Sequence, residues 1–257
     1  MTVLEAANVT KRFGGLVAVN DVSLTVGEGE VVGLIGPNGA GKTTFFNCLT
    51  GMETPTSGRV TFMGQPLSGR PDLVLKAGVA RTFQNIRLFP NMTAIENVIV
   101  GRHARTQAGV LSAIGRGPRY KREERESDEM AKELLAFVGL GHVRNELSKS
   151  LPYGDQRRLE IARALATEPG LLLLDEPTAG MNPNETAEAV KLVRKIQAKG
   201  IAIVLIEHDM RFVFNLCDRI AVLVQGSKLV EGSPQEVQSD ERVIAAYLGK
   251  PAEGETA

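Results

Sequence analysis

Gly36-Pro37-Asn38-Gly39-Ala40-Gly41-Lys42-Thr43-Thr44 fits the pattern glycine, four residues, Gly-Lys-Thr. The apolar run Val31-Val32-Gly33-Leu34-Ile35 leads in, and a helix-compatible segment, Phe45 to Thr50, leads out. This is the strand–loop–helix setting in which the pattern cradles phosphate. Glycines let the backbone wrap closely around an anion, because no Cβ intrudes and φ can be positive. The wrapped N–H groups and the N-terminus of the next helix then point at the anion. Lys42 adds a cation for β- and γ-phosphates, and the Thr43 hydroxyl can reach Mg²⁺.

Bulk composition narrows the class. A chain of 257 residues is one large domain, or one domain with an inserted subdomain, and 43% hydrophobic content supports a proper core. Lys+Arg and Asp+Glu are both 30, so net charge is zero, which argues against a broad nucleic-acid footprint. Two cysteines, Cys48 and Cys217, make no disulfide framework and read as small buried hydrophobes in a reducing compartment. The start, Met1-Thr2-Val3-Leu4-Glu5, lacks the regions of a signal peptide. No apolar run approaches the ~20 residues of a membrane helix, so any membrane link is expected to run through a partner.

Outward from the phosphate loop, Val3 to Val9 and Val17 to Val26 read as strands, with Phe13 at the turn between them. Two readings of Phe13 stand: an aromatic for a purine base to stack on, or ordinary core. Gly51 reads as a helix C′ residue; Gly58 to Phe62 and Ala77 to Phe83 read as strands. From Asn85 to about Ala166 the pattern turns helical. Thr93 and Glu96 make a capping box, and charge-dense Tyr120 to Glu129 passes into the stripe Met130, Leu134, Leu135, Val138. Acids interleave with bases in that charged run, so it reads as a solvated helix face. Leu171 to Leu174 is a short buried strand, Asn182-Pro183-Asn184-Glu185 opens a helix, and Ile201 to Ile206 is another strand. Ile220 to Val224 and Lys228 to Glu231 read as a last strand pair, followed by a helix from about Gln235 to Leu248.

Four polar segments each follow an apolar strand-like run: the phosphate loop, Gln84, Asp175-Glu176 and His208. In parallel α/β sheets ligands bind just beyond the carboxyl ends of strands, so these segments are expected to converge on one nucleotide. Asp175 can hold Mg²⁺ directly or through water. Glu176 can orient and polarise an attacking water. His208 can contact the γ-phosphate, and Gln84 can touch Mg²⁺ or the water.

With these residues in place the chain resembles the ATP-binding cassette ATPases along nearly all its length. Gly36 to Thr44 looks like the Walker A motif, Gln84 the Q-loop, Leu171 to Asp175 Walker B, Glu176 the catalytic glutamate and His208 the switch histidine. Phe13 takes the position of the family's adenine-stacking aromatic. Leu151-Pro152-Tyr153-Gly154-Asp155-Gln156 stands where the signature Leu-Ser-Gly-Gly-Gln is expected, with Gly154 kept and the helix Gln156 to Leu165 behind it. Ala179-Gly180-Met181-Asn182 sits at the D-loop. Pro152 replaces the signature serine and its hydroxyl, and Asn182 stands where the family usually has Asp.

The resemblance implies an α/β fold: a P-loop core with a mixed, mainly parallel sheet, an N-terminal antiparallel β subdomain and an inserted helical subdomain over about 85–166. Residues 1–249 would form this domain and 250–257 a disordered tail. It further implies ATP and Mg²⁺ as cofactors and two cassettes closing over two nucleotides, with Gly154 of one copy on the ATP of the other. A single cassette then works as a homo- or heterodimer beneath two membrane permeases, at the cytoplasmic face of the inner membrane, with no nucleic acid as partner. Ile86, Leu88 and Phe89 are candidates for the permease contact or for burial in the helical subdomain. Arg12 to Leu16, Phe46 to Gly51, Arg81 to Gln84 and Tyr153 to Glu160 are similar to one subgroup, the ATP-binding subunit of bacterial branched-chain amino acid importers, which would add a periplasmic amino-acid-binding protein. The alternatives are the ATPase of a lipopolysaccharide exporter and a soluble cassette protein that uses ATP as a switch.

Overall fold

Side chains that alternate across a doubly covered sheet fill two cores, one on each face. The computed structural model describes residues 1–103 and 118–248. Strands β3 (Val31–Ile35), β7 (Leu171–Asp175) and β8 (Ala202–Ile206) are buried throughout. Their residues divide with period two: Leu172, Leu174, Ile203 and Leu205 enter one core, while Leu171, Leu173, Val204 and Ile206 enter the other. With β6 (Val79–Arg81), β9 (Arg219–Val224) and β10 (Ser227–Gly232) they form a six-stranded sheet of order β10-β9-β3-β8-β7-β6. It is parallel from β9 to β6, and β10 is antiparallel. The carboxyl ends of β3, β6, β7 and β8 therefore share one rim.

The second sheet holds β1 (Thr2–Phe13), β2 (Leu16–Gly27), β4 (Ser57–Phe62) and β5 (Gln65–Pro66) in antiparallel order β2-β1-β4-β5. Its Leu4, Val9 and Leu24 meet Phe45, Phe46 and Leu49 of α1 (Lys42–Leu49) in the second core. On the opposite face, α3 (Ala94–Arg102) starts at the Thr93–Glu96 capping box and packs against α4 (Pro118–Phe137) and α5 (Tyr153–Leu165). Val98, Leu135 and Leu159 from these helices, with Val138 just past α4, share the first core with Leu172 and Leu174. Helix α6 (Pro183–Gln197) opens at the Asn182–Glu185 box, with Asn182 Oδ1 accepting from the N–H groups of Asn184 and Glu185.

Several expected boundaries move. The strand expected from Ala77 to Phe83 is only Val79–Arg81, because Ala77 closes a helix, α2 (Pro71–Ala77). Pro71 sits at its first turn and Gly78, at φ 113, ends it. Helix α5 begins at Tyr153 rather than Gln156, with Pro152 in the N-cap position. A short helix α7 (Met210–Leu216), capped by Asp209, was not expected. The helix expected over 235–248 is two, α8 (Pro234–Ser239) and α9 (Glu241–Leu248), broken at extended Asp240. The tail, Lys250 to Ala257, lies outside the described residues.

Candidate functional site

Strand β3 must turn into α1 between Gly36 and Gly41, and backbone crowding dictates the residues. A Cβ on Gly36 would lie 2.1 Å from the Leu223 carbonyl oxygen, and one on Gly41, at φ 93, would lie 2.3 Å from that of Ala18. Among the described residues no side chain caps α1, and no acid stands in its first turn. The first N–H groups of the helix are thus left for an anion. Lys42 is 7% exposed, and its Nζ donates to the carbonyls of Gly36 (2.7 Å) and Pro37 (3.0 Å). Burial pushes its ammonium pKa down, and the Glu176 carboxylate pushes it partly back.

The strand-end segments meet as the spacing predicts. A cleft of about 560 Å³ is lined by Asn38, Gly39, Ala40, Gly41, Lys42, Thr43 and Thr44 together with Gln84, Glu176 and His208. The β2 start, through Ala18, and Gln225-Gly226 close its sides, contributions that the sequence reading missed. Glu176 is gripped from both sides: Gln84 Nε2 donates to its Oε2 at 2.9 Å, and His208 Nε2 stands 3.1 Å from its Oε1. Its backbone is left-handed at φ 48 and is pinned by its N–H to the Ile206 carbonyl at 2.9 Å. Buried Glu207 ties the end of β8 to the next turn, accepting from the N–H and hydroxyl of Thr178 at 2.7 and 2.6 Å.

Other expected residues stand apart from the cleft lining. Gly36 and Pro37 form the back of the loop, where their carbonyls hold Lys42. Asp175, 5% exposed, accepts at Oδ2 from Arg81 Nη2 at 2.7 Å. Arg81 also donates to Asn47 Oδ1 at 2.7 Å and lies 5.5 and 5.2 Å from the rings of Phe46 and Phe83, so one guanidinium stitches α1, β6 and β7 together. Phe13 is 45% exposed at the end of β1 with Lys11 Nζ 4.9 Å from its ring centre, which removes the core reading. Gly154 sits in the first turn of α5, against the Glu185 carboxylate. Of the permease-contact candidates, Phe89 is exposed, Ile86 half-buried, and Leu88 packs on the first core.

The donors near the loop suit a hard cation. Thr43, Gln84 and Asp175 offer hydroxyl, amide and carboxylate oxygens, the chemistry Mg²⁺ prefers. Among the described residues no cluster of three or more His, Cys, Asp or Glu could hold a metal alone. The set therefore fits an ion that shares its coordination with phosphate oxygens and water.

Comparison with known proteins gives the family and the fold. A family model described as ABC transporter matches residues 19–179, and one described as branched-chain amino acid ATP-binding cassette transporter matches 227–253. The high-affinity branched-chain amino acid transport ATP-binding protein BraF of Pseudomonas aeruginosa is 46% identical over 96% of this chain and 98% of its own. The lipopolysaccharide export system ATP-binding protein LptB of Haemophilus influenzae is 33% identical over 97% and 98%. An ATP-binding cassette of an ABC transporter, solved in its ADP conformation, superposes with a TM-score of 0.85 at 32% identity, covering 97% of this chain and 100% of that one.

Proposed function

This chain belongs to the ATP-binding cassette transporter family, and from that premise we propose that it is the ATP-hydrolysing subunit of an importer of branched-chain or related amino acids. The observation that carries the catalytic part is the Glu176 carboxylate, held between Gln84 and His208 on the rim of the phosphate loop. In this reading Lys42 leaves the carbonyls of Gly36 and Pro37 for the β- and γ-phosphates, and the first turn of α1 holds the same anion. Glu176 orients the attacking water and takes its proton, while Gln84 and His208 fix the carboxylate and face the γ-phosphate. Thr43 and Gln84 would hold Mg²⁺, joined by Asp175 once its carboxylate leaves Arg81, and the ion would supply positive charge for the phosphate oxygens. Phe13, exposed at the end of β1 and paired across the hairpin with Leu16 of the cleft lining, stacks on the adenine.

A second copy completes the site. Gly154 and the start of α5 lie outside the lining of their own cleft, which supports their meeting the nucleotide of the partner. ATP at the interface favours closure of the pair, and loss of the γ-phosphate releases it. No helix among the described residues is long and apolar enough to cross a membrane. In the proposed assembly two separate permeases form the channel, reached through α3 to α5 and the loop that carries Gln84. The subunit then sits at the cytoplasmic membrane face, with a periplasmic binding protein delivering the substrate. Import of amino acids is favoured over lipopolysaccharide export by 46% against 33% identity to the respective relatives.

The test is Glu176→Gln in the purified chain. It should bind ATP, lose turnover and accumulate as a nucleotide-bridged dimer on gel filtration; normal hydrolysis would show that Glu176 is misassigned. Co-purification from detergent-solubilised membranes tests the transport reading: amino-acid permeases support it, and ribosomes or no membrane protein overturn it.

A further inference from the structure

Arg157, on the second turn of α5, is 2% exposed and the proposed hydrolysis leaves it without a task. Its fork faces the loop that carries Gln84. Nη1 donates to the Phe83 carbonyl at 2.6 Å, and Nη2 donates to the Gln84 carbonyl and to the Tyr153 hydroxyl at 3.0 Å. Glu160, one turn on, steadies the guanidinium from 3.3 Å and accepts from the Arg87 N–H, also at 3.3 Å. The backbone on both sides of Gln84 is thus held by α5, in a stretch that belongs to no strand or helix. A planar guanidinium reaches two adjacent carbonyls and a hydroxyl at once, whereas an ammonium on a flexible stem does not hold that geometry. Its Nε is buried without a hydrogen-bond partner among the described residues, a cost accepted for a fork aimed this way. Tyr153 carries the contact further, since its ring packs on Gly180 in the turn between β7 and α6.

From this geometry we infer that Arg157 is a positioning residue: by gripping the Phe83 and Gln84 carbonyls from α5, it fixes where the Gln84 amide meets Glu176 and turns any shift of α5 into a shift of Gln84. The path is continuous, from Glu176 to Gln84 side chain, Gln84 backbone, Arg157 and the first turn of α5. The same helix start meets the partner nucleotide in the proposed dimer, so the clamp links one ATP site to the other. This inference rests on the proposed role of Glu176 for its kinetic part only.

Arg157→Met keeps length and removes all donors; Arg157→Lys keeps charge; Gln84→Ala removes the group acted through. In the purified full chain Arg157→Met should lower kcat about tenfold and leave KM for ATP within about twofold, because the phosphate loop is untouched. Arg157→Lys should recover part of the loss. In a Gln84→Ala background Arg157→Met should add nothing, since the clamp then positions no amide. Multiplying losses in that double variant would make Arg157 a packing residue and overturn the inference. Hydrogen exchange decides without any turnover: amides 84–88 should exchange about tenfold faster in Arg157→Met and partly recover in Arg157→Lys, with α1 and β8 unchanged. Unchanged exchange at 84–88 in both variants also overturns it. If Glu176→Gln hydrolyses ATP while 84–88 still loosens, the catalytic assignment fails and the clamp stands.

Discussion

Arg81→Met removes the charge that faces the Asp175 carboxylate across a 2.7 Å contact in which both side chains are 7% exposed. Methionine fills much of the same length but offers no donor. Breaking a buried ion pair from one side leaves an uncompensated charge and typically costs about 3–5 kcal/mol. The bond to Asn47, which anchors α1 to β6, disappears as well. With about 2–4 °C per kcal/mol for a chain of this size, the melting temperature should fall by about 10 °C. Arg81→Met/Asp175→Asn, which removes the orphan charge, should melt well above Arg81→Met, recovering at least half of the loss. Thermal and urea melts of the nucleotide-free chain at neutral pH read both effects. A single variant within about 2 °C of the parent, or a double variant less stable than Arg81→Met, would refute the reasoning that this pair holds three elements in register.

Other expectations follow from single contacts. Gly36→Ala places a Cβ 2.1 Å from a fixed carbonyl oxygen, so affinity for a fluorescent ATP analogue should fall about 100-fold or more, and an affinity within twofold of the parent refutes the crowding argument. Burial pushes the Cys48 thiol up to about 11 and the Cys217 thiol up to about 12. A raised folded pKa means stability fully present below the unfolded thiol range near 9 and lost as pH climbs toward 11 and 12. A maleimide at pH 8 should therefore label neither thiol until urea unfolds the chain, and rapid labelling of the native protein counts against it. Pro152→Ser restores the hydroxyl that a signature serine offers the γ-phosphate, and a charge-assisted bond of about 1.5–3 kcal/mol predicts an ATPase faster by about ten- to a hundred-fold. An unchanged rate would show that position 152 does not touch the phosphate.

What the sequence discloses is what local chemistry enforces. The phosphate loop, the capping boxes at Thr93 and Asn182, and the buried strands β3, β7 and β8 each lie within a short window, and each stands where its residues put it. The Asn182 side chain caps α6 by accepting from two helix N–H groups, a task aspartate would do equally well, so the cap does not account for this departure from the family pattern. Convergence of Gln84, Glu176 and His208 was readable because parallel strands deliver their ends to one rim. The hubs were not. Arg81 and Arg157 look like ordinary surface cations, and their partners are 94 and 74 positions away. The strand at Ala77 failed because Gly78 stops a helix as readily as it precedes a strand. Asp175 was expected to face the cleft, and its carboxylate instead pairs with Arg81, which lies far away in sequence.

The left-handed backbone at Glu176 has one more implication. Glycine or asparagine would sit there with less steric protest than a residue with a long side chain. A library sorted on thermal resilience alone should therefore drift toward Glu176→Gly or Glu176→Asn variants that melt higher and no longer burn ATP. The chain keeps, at the carboxylate proposed to act on water, an amino acid its own polypeptide geometry would rather exchange.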